Sequence, residues 1–230
     1  MRLVSWNVCD GFRSKFGHLE RLLPDIAVLQ EVRPDCVKFA GLEGNSIWIG
    51  DNGQKGMAVI AYNGWTSARA PFPIQERWFL PLHVTNGLTT LNLLAVWVEP
   101  AKDCVPPTLR ALEQLQDFLL ERPCLIAGDF NQSVYFDKGK GAGRRFSSVL
   151  NLLASFGFES VWHELRGEEH GAESQPTLYW TWNEQRRFHI DFVFASRSLL
   201  ATDVSLGSFE TFVAGRVSDH VPLTATFDVK

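Results

Sequence analysis

Short apolar segments rich in Val, Ile, Leu, Phe and Trp recur along the whole chain, and this recurrence most constrains the fold. Each segment has the length of a β-strand and is bounded by polar or turn-forming residues. The clearest lie at residues 2–8, 26–30, 57–62, 91–98, 124–128, 189–196 and 221–227, and weaker ones at 46–50, 77–84 and 177–182. The chain is therefore predicted to be rich in β-sheet.

Amphipathic helical patterns lie between some of these strands, at residues 17–23, 108–121 and 144–158. The second spaces its apolar residues three and four apart, with Thr108 as a candidate N-cap. The third ends near Gly157, a candidate C-cap. Many strands with few helices predict an α/β fold in which two packed sheets carry helices on their outer sides.

Length and composition narrow the possible classes of protein. The chain has 230 residues and is predicted to form one domain over residues 1–230. Its net charge of −4 excludes a global polycation, so nucleic-acid binding would need a local basic patch. No apolar segment approaches the ~20 residues of a membrane span, and the N-terminus has no signal-peptide pattern. Four cysteines without a C-x-x-C motif predict reduced thiols and a cytoplasmic location.

Polar residues recur where the predicted strands end. They are Asn7, Glu31, Asp129, Asn131, Asp191, Asp219 and His220. Taken singly, most have a local explanation: Asp129 and Asn131 could form an Asx-turn, for example, and Glu31 could be a solvated acid. Asp191 is harder to explain locally, because it interrupts an apolar strand and a buried carboxylate needs a partner.

Taken together, these residues form a set suited to phosphoester chemistry. Carboxylate and amide oxygens are the ligands that a hard cation such as Mg²⁺ prefers. An imidazole held by a carboxylate can bind or protonate a phosphoryl oxygen, or act as a base. Phosphoester hydrolysis needs charge neutralisation, an aligned water and a stabilised leaving group.

The order of motifs along the chain resembles the endonuclease/exonuclease/phosphatase superfamily. The motifs are "SWNV", "LQEV", "GDFN", "HIDFVFAS" and "SDHVPL", which span residues 5–223. The resemblance implies a four-layer α/β sandwich of two mostly antiparallel sheets. It also implies hydrolysis of phosphoester bonds that depends on Mg²⁺ or Mn²⁺.

The resemblance also implies a role for each matching residue. Glu31 is similar to the principal metal ligand, and Asn7 and Asp219 lie beside the metal. Asp129 resembles the group that orients or deprotonates the attacking water, and Asn131 a donor to the phosphate. His220 resembles the imidazole at the scissile phosphate, held by Asp191.

Two positions depart from the family pattern. Abasic-site endonucleases carry Asp or Asn two residues after the first Asn, where this chain has Cys9 followed by Asp10. The strand on which relatives carry Tyr or His has Trp97 as its best match, and Trp97 is predicted to contact the substrate. Tryptophan donates one N–H but cannot act as an acid.

Local features bear on the substrate. The segment 136–146 follows the "GDFN" motif and carries four basic residues, Lys138, Lys140, Arg144 and Arg145. It could grip a phosphate backbone, or it could be a solvated loop. Five tryptophans could include a base-stacking platform or belong to the core: Trp65, Trp78, Trp162, Trp180 and Trp182.

The leading hypothesis is a nuclease or phosphodiesterase acting on DNA by in-line attack of water. A phosphatase or phosphodiesterase on a small metabolite or lipid head group is the alternative, and the acidic pI favours it. A binding protein that has lost catalysis is the third hypothesis. No pattern indicates a membrane or an obligate protein partner.

Overall fold

The computed structural model describes residues 1–38, 42–99 and 103–229 and consists mainly of β-strands. In chain order, the strands are β1 (Arg2–Asn7), β2 (Ile26–Val32), β3 (Ser46–Gly50), β4 (Gly56–Ala61), β5 (Thr66–Arg69), β6 (Phe79–Thr85), β7 (Thr90–Trp97), β8 (Cys124–Asp129), β9 (Phe158–Ser160), β10 (Leu178–Tyr179), β11 (Arg187–Phe188), β12 (Asp191–Ser196), β13 (Leu200–Leu206) and β14 (Leu223–Asp228). The α-helices are α1 (Phe12–Glu20), α2 (Val105–Gln114), α3 (Gln116–Glu121), α4 (Phe146–Ser155) and α5 (Val161–Arg166).

The strands form two six-stranded sheets and a small hairpin. One sheet has the order β13-β14-β1-β2-β4-β3, the other β5-β6-β7-β8-β12-β9, and β10 pairs with β11. Within the six-stranded sheets, only β1–β2 and β7–β8 are parallel among the described pairs. The predicted α/β sandwich of two mostly antiparallel sheets is thereby confirmed.

The core is divided among three layers of apolar side chains. One lies between the sheets and includes Leu3, Val28 and Leu93. The others lie on the outer faces, under α2–α4 and under α1 respectively. Successive residues of a strand point to opposite faces, so a strand buried on both faces reads as a continuous apolar run. This explains why the central strands were predictable from composition alone.

Helix ends differ from the prediction for identifiable reasons. The helix expected at 108–121 begins at Val105, with prolines in its first turn, where their missing N–H groups are not needed. Thr108 is therefore not the N-cap, and its hydroxyl donates to Cys104 O at 2.8 Å. Gly157 follows α4 with φ of 81°, as a glycine after a helix end should.

Some elements were not predicted. They are the strands β5, β9, β11 and β13 and the helix α5. β5 and β13 are sheet-edge strands with exposed residues, so they carry no continuous apolar run. The strand expected at 177–182 is short, because Thr181 and Trp182 take positive φ values of 57° and 59°.

All four cysteines lie in the described part of the chain, and none of them is part of a disulfide there. Over the described part of the chain, no helix combines the length and the apolar character required to span a bilayer.

Candidate active site

The polar residues predicted at strand ends converge at one edge of the sandwich. Asn7 ends β1 and Asp129 ends β8, while Asp191 begins β12. Because β12 runs antiparallel to β8, its first residue lies opposite the last residue of β8, and Asp191 pairs in register with Asp129. His220 precedes β14, and its ring reaches Asp191.

Asp129 is fully buried and accepts hydrogen bonds on both carboxylate oxygens. Its Oδ1 accepts from Asn131 N at 2.8 Å, which is the Asx-turn considered from the sequence. Its Oδ2 accepts from Asn7 Nδ2 at 3.0 Å and from Asn131 Nδ2 at 3.1 Å. The turn and the site are therefore built from the same side chains.

The electrostatic environment makes Asp129 unusually basic for a carboxylate. Burial, followed by the negative charge of Asp191, raises its pKa to about 7, against the opposing effects of His220 and Asn7. A carboxyl group with a pKa near the working pH can accept a proton from an attacking water.

Asn131 is less available than predicted for binding a phosphate. Its Nδ2 donates to Asp129 Oδ2 and, at 2.8 Å, to Val98 O. An amide nitrogen has two hydrogens, so both are committed in this arrangement. A bond from Asn131 to a phosphate would require one of these bonds to be exchanged.

Phe130, between Asp129 and Asn131, points to the opposite face, as strand alternation predicts. It is buried against the rings of Phe146, Phe192 and Phe194, with centroid distances of 5.9, 5.8 and 5.6 Å. This apolar packing anchors the end of β8 beneath the site.

Glu31 is brought into the same network by an irregularity in β2. The pairing of β2 with β4 shifts register between Gln30 and Val32, and Glu31 has a φ of 57°. Such bulges redirect a side chain next to an active site. Asn7 Nδ2 donates to Glu31 Oε1 at 3.3 Å, and Lys55 forms an ion pair with Glu31 Oε2.

His220 is held by Asp191 in a buried ion pair. His220 Nδ1 lies 2.9 Å from Asp191 Oδ2, and both side chains are almost completely buried. Burial would lower the pKa of His220, but Asp191, followed by Asp129 and Asp219, raises it to about 10. The imidazole is therefore protonated at neutral pH, with its Nδ1 edge engaged by Asp191.

Ser218 fixes the segment that carries His220. Its hydroxyl donates to Asn7 O at 2.8 Å and accepts from His220 N at 3.1 Å. Trp6 Nε1 also donates to His220 O at 3.2 Å. The last motif is therefore tied directly to β1, more than two hundred residues earlier in the chain.

Asp219 lies near Cys9, whose thiol is influenced by the charges of both Asp219 and Glu31. Burial, followed by the charges of Asp219 and Glu31, raises the pKa of Cys9 to about 11, so the thiol is neutral. Asp10 forms an ion pair with Arg33 at 2.7 Å on the exposed side of the loop. In this arrangement the carboxylate of Asp10 is occupied by the guanidinium of Arg33.

The donor set fits a hard divalent cation. Glu31 and Asp219 offer carboxylate oxygens, the ligands that Mg²⁺ and Mn²⁺ favour. Asn7 Oδ1 accepts from Cys9 N at 3.0 Å, while its Nδ2 faces Glu31 and Asp129, so metal binding through the amide oxygen requires this amide to turn. Glu31 Oε2 already contacts a cationic group, Lys55 Nζ. Asp191 Oδ1 is buried and has no hydrogen-bond partner within the described residues, so the site has spare capacity to stabilise positive charge.

Trp97 lies beside Asp129, but its side chain is buried beneath the protein surface. It pairs in register with Asp129, is only 4% exposed, and packs 5.0 Å from the ring of Trp78. Its indole N–H is buried without a partner in the part of the chain that the structure describes. Substrate contact by Trp97 stays a prediction.

The basic residues after the "GDFN" motif have varied surroundings. Arg144 pairs with Asp103 at 3.2 Å, and Lys140 Nζ donates to Gln132 Oε1 at 3.3 Å. Arg145 Nε donates to Lys140 O at 2.5 Å. Lys138 is exposed. Substrate binding by these four residues also stays a prediction.

The tryptophans divide into two groups. Trp65, Trp78 and Trp162 are core residues, as the alternative reading of the sequence held. Trp180 is 50% exposed, and the guanidinium of Arg186 lies 3.9 Å from its ring centroid. The residue before it, Tyr179, connects this segment to the site, because Tyr179 N donates to Asp219 O at 2.8 Å.

Two site residues escaped the sequence reasoning. Lys55 lies in a polar turn before β4, where nothing in the local pattern connects it to Glu31. Ser218 belongs to the "SDHVPL" motif but was not assigned a role. Its position directly before Asp219 and His220 was the available clue.

The sequence and the fold were compared with those of known proteins. The sequence matches the model of the Endonuclease/Exonuclease/phosphatase family over residues 4–220. No curated protein matches the sequence significantly. The fold is similar to the 3′-5′ exonuclease NExo from Neisseria meningitidis, with a TM-score of 0.73, 22% identity and coverage of 100% of both chains.

Two further solved structures share the fold. An AP endonuclease from Archaeoglobus fulgidus has a TM-score of 0.71 at 17% identity, with 100% of both chains covered. D. rerio TDP2, complexed with a single-strand DNA product, has a TM-score of 0.70 at 20% identity, with 100% of this chain and 99% of that chain covered. At such low identity, these likenesses show a common fold.

Proposed function

This chain belongs to the endonuclease/exonuclease/phosphatase family of phosphoester hydrolases, and we propose that it is a divalent-metal-dependent nuclease or phosphodiesterase acting on DNA. The observation that carries the proposal is the contact between two groups of residues. Asp129, Asn7 and Glu31 form one hydrogen-bonded chain, and the Asp191–His220 pair lies directly beside it.

Asp129 would align the attacking water and accept its proton. Its raised pKa of about 7, caused first by burial and then by Asp191, supports this role. The hydrogen bonds from Asn7 and Asn131 fix the carboxylate, so the water would be aligned before the reaction begins.

His220 would stabilise the charge that develops on the phosphoryl oxygens. Its pairing with Asp191 through Nδ1 keeps it protonated and leaves Nε2 as the donor toward the substrate. Preorganised donors of this kind stabilise a transition state without reorganising during the reaction.

Glu31, Asn7 and Asp219 would hold the metal ion, Mg²⁺ or Mn²⁺. When bound, the ion neutralises phosphate charge and stabilises the leaving oxygen. Lys55 would have to release Glu31 for the ion to bind, and it could then turn toward the phosphate.

DNA is favoured as the substrate by the cationic and aromatic groups near the site. Trp180, capped by Arg186, offers an exposed ring in the segment bonded to Asp219, and exposed rings can stack on unpaired bases. The basic segment at residues 136–146 adds charge that could contact the backbone. The AP endonuclease from Archaeoglobus fulgidus and D. rerio TDP2 with its DNA product support the same substrate class.

The experiment compares substrates and variants in the presence of Mg²⁺ or Mn²⁺. Abasic-site duplex DNA, single-stranded DNA and a p-nitrophenyl phosphoester are offered to the wild-type protein. We expect DNA to be cleaved preferentially, and activity to vanish with EDTA and return with excess metal. Preferential turnover of the small phosphoester would favour a small-molecule phosphatase or phosphodiesterase instead.

Asp129→Asn and His220→Gln should each lower kcat by at least about 100-fold, the usual contribution of a proton-transfer group. Asp203→Asn and His83→Gln, which change residues outside the site, are the matched controls. Circular dichroism confirms that each variant is folded. Near-wild-type turnover in either site variant would refute the assigned roles.

A further inference from the structure

A cluster of titratable side chains lies away from the active site, between α5 and the start of β12. We call His163, His170 and Glu173 the histidine cluster. His163 lies on α5, and the other two lie in the segment between α5 and β10. One potential ligand atom from each of the three lies within 4.8 Å of the others. From this arrangement we propose a second metal site, which binds a Zn²⁺-like ion and has a structural role.

The spacing of the cluster matches a zinc coordination sphere. His163 Nε2 lies 3.1 Å from Glu173 Oε1. Tetrahedral ligands at Zn–N and Zn–O distances of about 2.1 Å are roughly 3.4 Å apart. The imidazole rings of His163 and His170 lie 3.5 Å apart between centroids. These rings are stacked with an interplanar angle of 20°, and a metal ion binds in the plane of an imidazole, so His170 would have to rotate for its ring nitrogen and His163 Nε2 to share one ion.

Each ligand is held by a second partner. Ser160 Oγ lies 2.7 Å from His163 Nδ1, which fixes the ring and leaves Nε2 for the ion. Gly171 N donates to Glu173 Oε1 at 2.9 Å. Outer partners of this kind orient metal ligands in proteins. The side chains of His163 and Glu173 are only 8% and 7% exposed.

Two buried ring nitrogens next to the cluster lack partners, which is an independent indication of a ligand. His170 Nδ1 and His189 Nε2 form no hydrogen bond within the described residues. His189 is 3% exposed, and its ring centroid lies 5.9 Å from that of His163. Buried polar atoms without partners are rare, and each costs free energy.

The tautomer of His189 shows what kind of group its unpartnered nitrogen can bind. Its Nδ1 lies 2.9 Å from Gln175 O, a carbonyl that can only accept, so Nδ1 carries the proton. The unpartnered Nε2 is therefore a lone pair, and a Lewis acid would satisfy it. An imidazole whose N–H donates to a carbonyl is the usual arrangement of a metal-binding histidine. His189 lies beside the cluster but outside the group whose ligand atoms are within 4.8 Å of one another, so it would have to move closer to bind the same ion.

The ligand chemistry distinguishes this site from the active site. Two imidazoles and one carboxylate, with the imidazole of His189 nearby, favour Zn²⁺ or a similar late transition ion over Mg²⁺. The oxygen-only set around Glu31 has the opposite preference.

A bound ion would join the segment after α5 to the start of β12. His189 lies two residues before Asp191, and its ring is 5.2 Å from that of Phe192. Thr177 Oγ1 accepts from both Ile190 N and Asp191 N at 3.0 Å. The ion would therefore stabilise the region that carries the partner of His220, without contacting the substrate.

The test measures zinc binding by the full-length protein after treatment with EDTA. Excess Mg²⁺ is present to fill the oxygen site, and Zn²⁺ affinity is measured by competition with a chromophoric chelator. Zn²⁺ retained after gel filtration is counted by elemental analysis. We expect one tightly held Zn²⁺ and a Tm that rises when Zn²⁺ is added.

The Zn²⁺ affinities of variants inside and outside the histidine cluster show where the ion binds. His170→Gln and Glu173→Gln should weaken Zn²⁺ binding by more than about 100-fold, and Ser160→Ala, which removes only an outer partner, by about tenfold. Glu31→Gln, in the oxygen site, and His83→Gln, a half-buried histidine elsewhere, should bind Zn²⁺ as the wild type does. Circular dichroism and the Tm without metal show whether each variant is folded.

Two results would overturn the proposal. One is a wild-type protein that retains no Zn²⁺ in excess Mg²⁺. The other is Zn²⁺ binding that survives Glu173→Gln and His170→Gln but disappears in Glu31→Gln, because the ion would then occupy the active site. If either cluster variant does not fold, the Ser160→Ala affinity and the Zn²⁺-dependent Tm of the wild type decide the question.

Discussion

Replacing Gly128 by alanine should displace the end of β8 that carries Asp129. Gly128 precedes Asp129 and lies opposite Val96 of β7. A Cβ atom at this position would lie 1.8 Å from Val96 O, and the φ of Gly128 is 154°. The obstructing atom belongs to the backbone of a buried strand, so it cannot rotate aside. The two strands must separate for the methyl group to fit.

The size of the effect follows from two contributions. Overpacking a well-packed interior costs about 1–3 kcal/mol. A backbone conformation that side-chain-bearing residues rarely adopt adds about 1–3 kcal/mol. The sum is about 2–6 kcal/mol of lost unfolding free energy. In a domain of this size, each kcal/mol shifts Tm by about 2–4 °C, so a mid-range loss lowers Tm by about 8–16 °C.

Thermal unfolding followed by circular dichroism measures the stability, and kcat/KM well below the Tm of the variant measures activity. We expect activity to fall even in folded protein, because a shifted β8 moves Asp129 away from Asn7. The control is Gly17→Ala in α1, where a Cβ meets no atom within 4 Å. Alanine there should stabilise the helix by about 0.5–1 kcal/mol.

A Gly128→Ala variant with wild-type Tm and wild-type kcat/KM would refute the reasoning. It would mean that β7 and β8 tolerate the methyl group, and that the glycine of the "GDFN" motif is not required by close packing. Loss of activity with an unchanged Tm would mean that the methyl group displaces Asp129 without destabilising the fold.

Three further predictions concern the charges and rings around the site. Asp191→Asn removes the carboxylate that raises the pKa of His220 against the effect of burial, so activity should fall more steeply above neutral pH than in the wild type, as a pH–rate profile would show. Lys55→Met frees Glu31 from an exposed ion pair and should lower the Mg²⁺ concentration for half-maximal activity about two- to fivefold, measured by metal titration. Trp180→Ala should raise KM for single-stranded DNA by at least about fivefold while leaving KM for a p-nitrophenyl phosphoester unchanged, since stacking is worth about 1–3 kcal/mol per base.

Local pattern made much of the fold predictable. Strands such as β8 and β12 are buried on both faces, so their continuous apolar composition marked them directly. Edge strands such as β13 escaped prediction, because their stability comes from pairing with a neighbour, here β14. The helix α5 escaped for a related reason, since it is too short to show a period of its own.

The candidate site was predictable as a set of residues but not as a set of bonds. The "GDFN" motif identified Asp129 and Asn131, but not that the amide of Asn131 is committed to Asp129 and to Val98 O. Lys55 was missed altogether, because a lysine in a polar turn has no distinguishing context until the fold brings it to Glu31.

The sequence by itself determined which residues are candidates for the chemistry and in what order they lie, because strand periodicity and the short motifs are properties of neighbouring residues. Only the tertiary structure decided that Asn7 lies 3.0 Å from Asp129 and that the rings of His163 and His170 stack 3.5 Å apart. Such contacts depend on sheet register and on the bulge at Glu31, which are set by the packing of the whole sandwich. No local pattern encodes them.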